Sequence, residues 1–135
     1  MGEWREGRYH GLGRLKYRDG RTYEGEFISG KYDGTGVFKG KDGNKYVGHR
    51  AAGLASGPGI STAANGQIYR GNFEDNLRHG PGICFYRNGK KYVGHWKSGK
   101  HDGHGIFTTA DGENYSGYWC GDQKHGIGAY RFKNE

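Results

Sequence analysis

The sequence predicts an all-β fold, an elongated, twisted, single-layer antiparallel sheet of successive β-hairpins. Three observations predict it. Tyr23, Tyr46, Tyr69, Tyr92 and Tyr115 recur at a fixed interval of 23 residues, the mark of a repeat architecture. At one place in each interval stands Asp or Asn followed by Gly20, Gly43, Gly66, Gly89 or Gly112, and such pairs signal tight hairpin turns. Between the turns, apolar and polar residues alternate with the period of two that belongs to strands, and no stretch carries the 3.6-residue period of a helix.

Counting each repeat from its tyrosine divides the chain into one array of six blocks, 1–22, 23–45, 46–68, 69–91, 92–114 and 115–135. The first strand of a block carries Tyr at position 1, Gly at 3 and a ring at 5, which is Trp4, Phe27, Phe73, Trp96 or Trp119. A glycine-rich middle, such as Gly30–Gly36 or Asn76–Gly82, is expected as a bend. The second strand is expected over positions 14 to 18, with Leu15, Tyr17, Phe38, Tyr86, Phe107, Tyr130 and Phe132 at 16 and 18. The Asp-Gly or Asn-Gly pair then hands over to the next block through a type I′ turn, with positive φ at both central residues.

Glycine occupies positions 3, 12 and 14 of every block. Without a Cβ, it leaves room for a ring from a neighbouring strand to lie flat on the backbone. The core is therefore expected to be a ladder of stacked aromatics on one face. Two strands per block at ~4.8 Å spacing give a ribbon on the order of 55 Å long. The alternate positions carry Glu24, Glu26, His49, Arg70, Asn72 and His95, so no second layer is expected. The third block departs from the pattern, with Arg50 where the ring belongs and Ala51, Ala52 and Ala55 nearby. Asn76 and Asp122 replace glycine at position 8, and both tolerate positive φ.

Composition excludes several classes. The 135 residues include 29 Gly, with a mean hydropathy of -1.03. That glycine content far exceeds the usual ~7%, yet it lacks the every-third spacing of collagen. No apolar run approaches the ~18 residues of a membrane span, and no secretory leader pattern is evident. The 2 Cys residues make no disulfide framework, and the 15% aromatic content argues against simple disorder.

The full pattern, YxGxWxxGxxHGxGxxxxxDGxxY, resembles the MORN repeat (membrane occupation and recognition nexus). Tyr92–Gly105 and Gly2–Gly13 carry it most completely, and it runs over essentially the whole chain. The resemblance implies a single-layer sheet of hairpins. It also implies a place among scaffolds linking membrane and cytoskeleton, junctional proteins, and accessory regions of lipid kinases and methyltransferases. Phospholipid binding is the family's traditional label. The array starts inside one repeat and stops inside another, so an excised piece of a longer array is expected.

Enzymatic readings are weak. Gly25–Lys31 and Gly94–Lys100 fit GxxxxGK, but Tyr32 and His101 stand where a phosphate loop needs Ser or Thr. His10, His79 and His125 share position 11 with Asp33 and Asp102 and read as solvated bend residues. Cys84 and Cys120 have no partner at metal-site spacing and read as free thiols. A one-layer sheet offers no dry, walled pocket in which to shift a catalytic pKa, so no catalysis, metal or cofactor is expected.

Binding readings are stronger. An exposed ring face can accept a partner segment, and the expected protein-binding groove is Trp4, Tyr23, Phe27, Tyr69, Phe73, Tyr92, Trp96, Tyr115 and Trp119. The net charge of +7 supports a second reading, anionic phospholipid held by Lys31, Lys39, Arg70, Arg78, Lys90, Lys91, Lys97 and Lys100. Single-stranded nucleic acid is disfavoured, because the rings it would stack on are consumed by the ladder. Open sheet edges invite a homodimer or end-to-end self-association. The expected function is a non-catalytic scaffold, cytoplasmic and associated with cytoskeleton or membrane.

Overall fold

The computed structural model describes residues 3–5 and 8–132, with side chains from His10 onward. Twelve strands form one open antiparallel sheet in chain order: β1 (Glu3–Arg5), β2 (Arg8–Lys16), β3 (Thr22–Ile28), β4 (Lys31–Lys39), β5 (Lys45–Ala51), β6 (Leu54–Thr62), β7 (Ile68–Glu74), β8 (Leu77–Phe85), β9 (Lys91–Lys97), β10 (Lys100–Thr108), β11 (Asn114–Cys120) and β12 (Gln123–Arg131). Every strand pairs with its sequence neighbours alone. The all-β, single-layer hairpin array read from the sequence is the observed fold.

Two details differ from the sequence reading, and both have a local cause. The two-residue type I′ turn lies at positions 7 and 8, where Ser29 and Gly30 (φ 51 and 81), Ala52 and Gly53 (50 and 89), and Asp75 and Asn76 (49 and 72) all have positive φ. In the Asp-Gly and Asn-Gly loops only the glycine is left-handed, as at Gly20 with φ 100. There Gly20 N donates to Tyr17 O at 3.2 Å and Tyr17 N to Arg21 O at 2.9 Å, a three-residue loop closed by a glycine bulge. Asn or Asp serves by side chain instead: Asn65 Oδ1 accepts from Gln67 N at 3.0 Å.

The expected glycine-rich bend is strand. β4 begins at Lys31 rather than Gly36, and the irregularity is compressed into a bulge in which the β3–β4 register jumps between Gly25 and Phe27. Gly34 takes the bulge's positive φ of 89. The same jump recurs in the β5–β6, β7–β8, β9–β10 and β11–β12 pairs.

The bulge frees the carbonyl at position 4, and the repeat tyrosine, three residues earlier, reaches forward to it. Tyr23, Tyr46, Tyr69 and Tyr92 donate through Oη to the carbonyls of Glu26, His49, Asn72 and His95 at 2.9, 2.7, 2.9 and 3.0 Å. To lie there, each ring crosses two glycines paired across the hairpin, such as Gly71 and Gly82 under Tyr69. A Cβ on Gly82 would collide with the ring. The glycines thereby line up in one row across the sheet from Gly13 to Gly128.

Candidate functional site

The ring at position 5 is clamped between two tyrosines, its own and that of the preceding repeat. Phe73 lies edge-on to Tyr46 and Tyr69 at 5.2 and 5.1 Å, Trp96 to Tyr69 and Tyr92 at 5.3 and 5.2 Å, and Trp119 to Tyr92 and Tyr115 at 5.6 and 5.5 Å. This zipper is the core. Tyr23, Tyr69 and Tyr92 are 0% exposed, and Phe27, Phe73, Trp96, Tyr115 and Trp119 between 1% and 8%. The expected groove residues are thus a buried floor, each ring packed edge-on against its neighbours. The side chain of Trp4 lies outside the described residues.

What that face presents is a second tier laid over the floor. Position 10 covers each repeat tyrosine: Tyr32 stacks on Tyr23 at 3.9 Å, His101 on Tyr92 at 3.8 Å, and the Arg78 and Lys124 cations sit over Tyr69 and Tyr115 at 4.8 and 4.9 Å. In the third repeat position 10 is the small Ala55, and Arg50 fills the gap. Its guanidinium lies over Tyr46, Tyr32 and Phe38 at 4.8, 5.4 and 5.5 Å and donates to Gly53 O at 3.0 Å. The ladder expected to thin there is bridged by a cation over the rings.

The position-8 turns latch successive repeats together. Gly53, Asn76, Gly99 and Asp122 donate their N–H to the carbonyls of Tyr32, Ala55, Arg78 and His101, one repeat earlier, at 2.7, 3.0, 2.9 and 2.9 Å. Asn76 and Asp122 also accept through Oδ1 from Ala55 N and His101 N, both at 2.7 Å. Asp33 and Asp102 at position 11 accept from the position-7 N–H groups of Ala52 and Gly121 in the following repeat, at 2.9 and 3.4 Å. Position 11 is thus a turn staple in those repeats, and among the described residues no cluster of His, Cys, Asp and Glu could hold a metal.

His101 is the buried ionisable group of the tier. It is 8% exposed, its Nε2 lies 2.8 Å from Tyr86 Oη, and its Nδ1 is without a hydrogen-bond partner, 3.6 Å from Asp122 Oδ1. Burial pulls its pKa below the usual 6.5, against the pull of Asp122. Burial likewise pushes the Tyr69 and Tyr92 phenols up to about 12. Cys84 is buried and Cys120 exposed, both as free thiols.

The eight candidate lipid-binding residues do not converge. Lys39, Lys90 and Lys91 belong to the flank that carries the Asp-Gly loops, Lys31, Lys97 and Lys100 to the opposite flank of type I′ turns, Arg70 to the face away from the rings, and Arg78 to the ring tier. Folding does concentrate charge on the first flank. Lys16, Arg18, Arg21, Lys39, Lys41, Lys45, Arg87, Lys90, Lys91 and Arg131 stand there against Asp19, Asp42, Asp111 and Glu113.

One feature was missed at the sequence level. Position 2 and position 15 place Val47, Ile60, Ile83, Val93 and Ile106 on the face opposite the rings. A depression of about 410 Å³ runs there beside Val47, Ile60, His49, Arg70 and Asn72, over the glycine row. Aligning the repeats by columns two and fifteen would have found it.

These features define a repeat protein of glycine-pinned hairpins, with a ring-zippered face and an open one. The MORN repeat model matches residues 1–20, 23–45, 69–91, 92–113 and 115–135, and the chain belongs to that family. The block the model passes over, 46–68, contains Arg50 and Ala55, yet β5 and β6 keep the lengths and register of their neighbours. MORN repeats form a non-catalytic family generally associated with membrane and protein interaction. No curated protein matches the chain.

Proposed function

We propose that the chain is a non-catalytic scaffold module that docks a protein segment on its ring face and so links cytoskeletal or membrane-associated partners in the cytoplasm. The observation that carries this reading is the tier over the zipper. In the second, fourth and sixth repeats the position-10 side chains Tyr32, Arg78 and Lys124 stand on a rigid aromatic floor, and the half-buried rings of Phe38, Tyr86 and Phe107 lie along the same face. Preorganised aromatic and arginine contacts of this kind supply hot spots at low entropic cost. The non-catalytic part is supported by the tyrosine hydroxyls, which are spent on bulge carbonyls with phenols pushed away from neutral pKa.

The test is binding of a captured and identified partner to Arg78→Ala and Tyr86→Ala variants that retain the parent's thermal midpoint. Each is expected to weaken binding about tenfold, the ~1.4 kcal/mol of one lost hot spot. Unchanged affinity in both would remove the ring face as the site.

The basic flank favours a second reading, adsorption to anionic phospholipid at about 1 kcal/mol per cation near the surface. Co-sedimentation with phosphoinositide vesicles at low and physiological salt tests it. Head-group-selective binding that survives physiological salt and falls in a Lys90→Glu/Lys91→Glu variant supports a specific site; binding abolished by salt reduces it to diffuse attraction.

A further inference from the structure

The face away from the rings carries an apolar ladder broken at one rung, Arg70. Val37 pairs with Val47, Val47 with Ile60, Ile60 with Arg70, Arg70 with Ile83, Ile83 with Val93 and Val93 with Ile106, so seven strands each add one side chain to a single row. Ile60, Val93 and Ile106 are 40%, 37% and 39% exposed. Nothing else in the described fold covers the row, and contiguous exposed apolar surface of this kind marks an interaction site.

The shape of the row selects its occupant. It is one side chain wide except at β7 and β8, where Ile68 and Phe85 stand beside Arg70 and Ile83 on the same face, and it is narrower than the broad alternating face that a second sheet buries. A helix needs only a stripe. Laid across the strands, a helix with its ~5.4 Å pitch keeps near step with strands ~4.8 Å apart, so that each turn meets about one strand. The six spacings from β4 to β10 span about 29 Å, the length of about 20 helical residues.

Charge completes the specification. Arg70 interrupts the apolar row at its middle, is exposed, and takes part in none of the ion pairs among the described residues. The neighbouring row toward the basic flank holds Lys39, Lys45 and Lys91 on either side of Thr62, Ile68 and Phe85; the row on the other side holds His49, Asn72 and His95 with Pro58 and Pro81. We propose that this open face docks an acidic amphipathic helix of a partner protein, its apolar stripe on the valine and isoleucine row, a carboxylate at mid-length on Arg70 and further carboxylates toward the lysine row. The surface is independent of the ring face, so the module holds two partners on opposite sides of one sheet.

The experiment titrates the full chain by calorimetry with three synthetic peptides of about 20 residues. One has leucines at i, i+3, i+4 and i+7 with glutamates elsewhere; the second is its scramble, of equal composition without the stripe; the third exchanges every glutamate for lysine. The first is expected to bind and to gain helical circular dichroism on binding. The scramble and the lysine peptide are expected to bind at least tenfold more weakly. Ile60→Glu/Val93→Glu and Arg70→Glu variants with the parent's thermal midpoint are expected to lose at least tenfold in affinity, and Arg78→Ala, on the ring face, less than twofold. No binding of the first peptide, equal binding of the scramble or of the lysine peptide, or parental affinity in the Ile60→Glu/Val93→Glu variant would each overturn the proposal. Binding of neutral phosphatidylcholine vesicles without binding of the first peptide would assign the row to a bilayer and overturn it as well. A loss confined to Arg78→Ala would instead place the peptide on the ring face.

Discussion

At the scale of single residues, the glycines divide into two kinds that the sequence prints alike. Gly82 is glycine because Tyr69 lies on it, whereas Gly112 has φ 96 and nothing within 4 Å of a built Cβ. Gly112→Ala is therefore expected to cost only the left-handed strain of about 1–2 kcal/mol. Gly82→Ala must expel the ring and break its hydrogen bond to Asn72 O, about 3 kcal/mol or more. Urea denaturation of the two variants checks this; equal losses would mean that the ring contact is not what requires glycine at position 82. His101 sets a second residue-level expectation. Its folded pKa is lowered by burial below 6.5, so the unfolded chain takes up a proton that the folded chain refuses. The stability it contributes is present above pH 6.5 and is lost as pH falls below that value. Denaturation midpoints measured from pH 8 down to 5 should show a drop that His101→Phe removes; a parent and variant of identical pH dependence would contradict it.

At the scale of elements, one hairpin turn was misplaced in the sequence reading for an instructive reason. Asp-Gly is the strongest short-range hairpin signal, but Asp19, Asn65 and Asn88 act as side-chain acceptors for the N–H two residues on. The type I′ conformation fell to pairs such as Ser29-Gly30 and Ala52-Gly53, which carry weaker local signals. Their geometry is supplied partly from outside the hairpin, by the latch to the preceding repeat. The third repeat offers the element-level prediction. Arg50 replaces the clamped ring with a cation over three rings, worth about 0.5–1 kcal/mol for an exposed pair and more when desolvated. Arg50→Trp restores edge-on contacts of about 0.5–1.5 kcal/mol each on two sides and should raise stability by about 1 kcal/mol. Arg50→Ala should lower it by a similar amount. Calorimetric unfolding reads both, and destabilisation by the tryptophan would show that the gap is shaped for the guanidinium.

At the scale of the whole molecule, each strand hydrogen-bonds only to its sequence neighbours, so stability accumulates along one dimension. Tyr69, Cys84 and Tyr92 in β7–β9 are 0% exposed, whereas every residue of β12 is exposed. Native-state amide exchange is expected to be slowest in β7–β9 and fastest in β12, since local opening follows contact density. Uniform protection along the array would instead mean that it opens as a single cooperative unit. Whole-molecule geometry also sorts the charge. The sequence spreads lysine and arginine over both halves of the chain, and the meander brings ten of them to one flank, where three of the five Asp-Gly and Asn-Gly loops hold Arg18, Arg21, Lys41, Arg87 and Lys90.

The sequence by itself determined the repeat, its length, the strand character of both halves of each block, the aromatic core and the family. These rest on local periodicity and on glycine placed where no other residue fits, and both are legible without coordinates. Only the tertiary structure decided which turn is type I′, where the bulge falls, that the rings are a closed floor and not an open groove, and that the opposite face carries an aliphatic row. Those depend on register, which sets position 2 of one strand beside position 15 of the next. Val47 and Ile60 are thirteen residues apart in the chain and become cross-strand neighbours only when the hairpin closes.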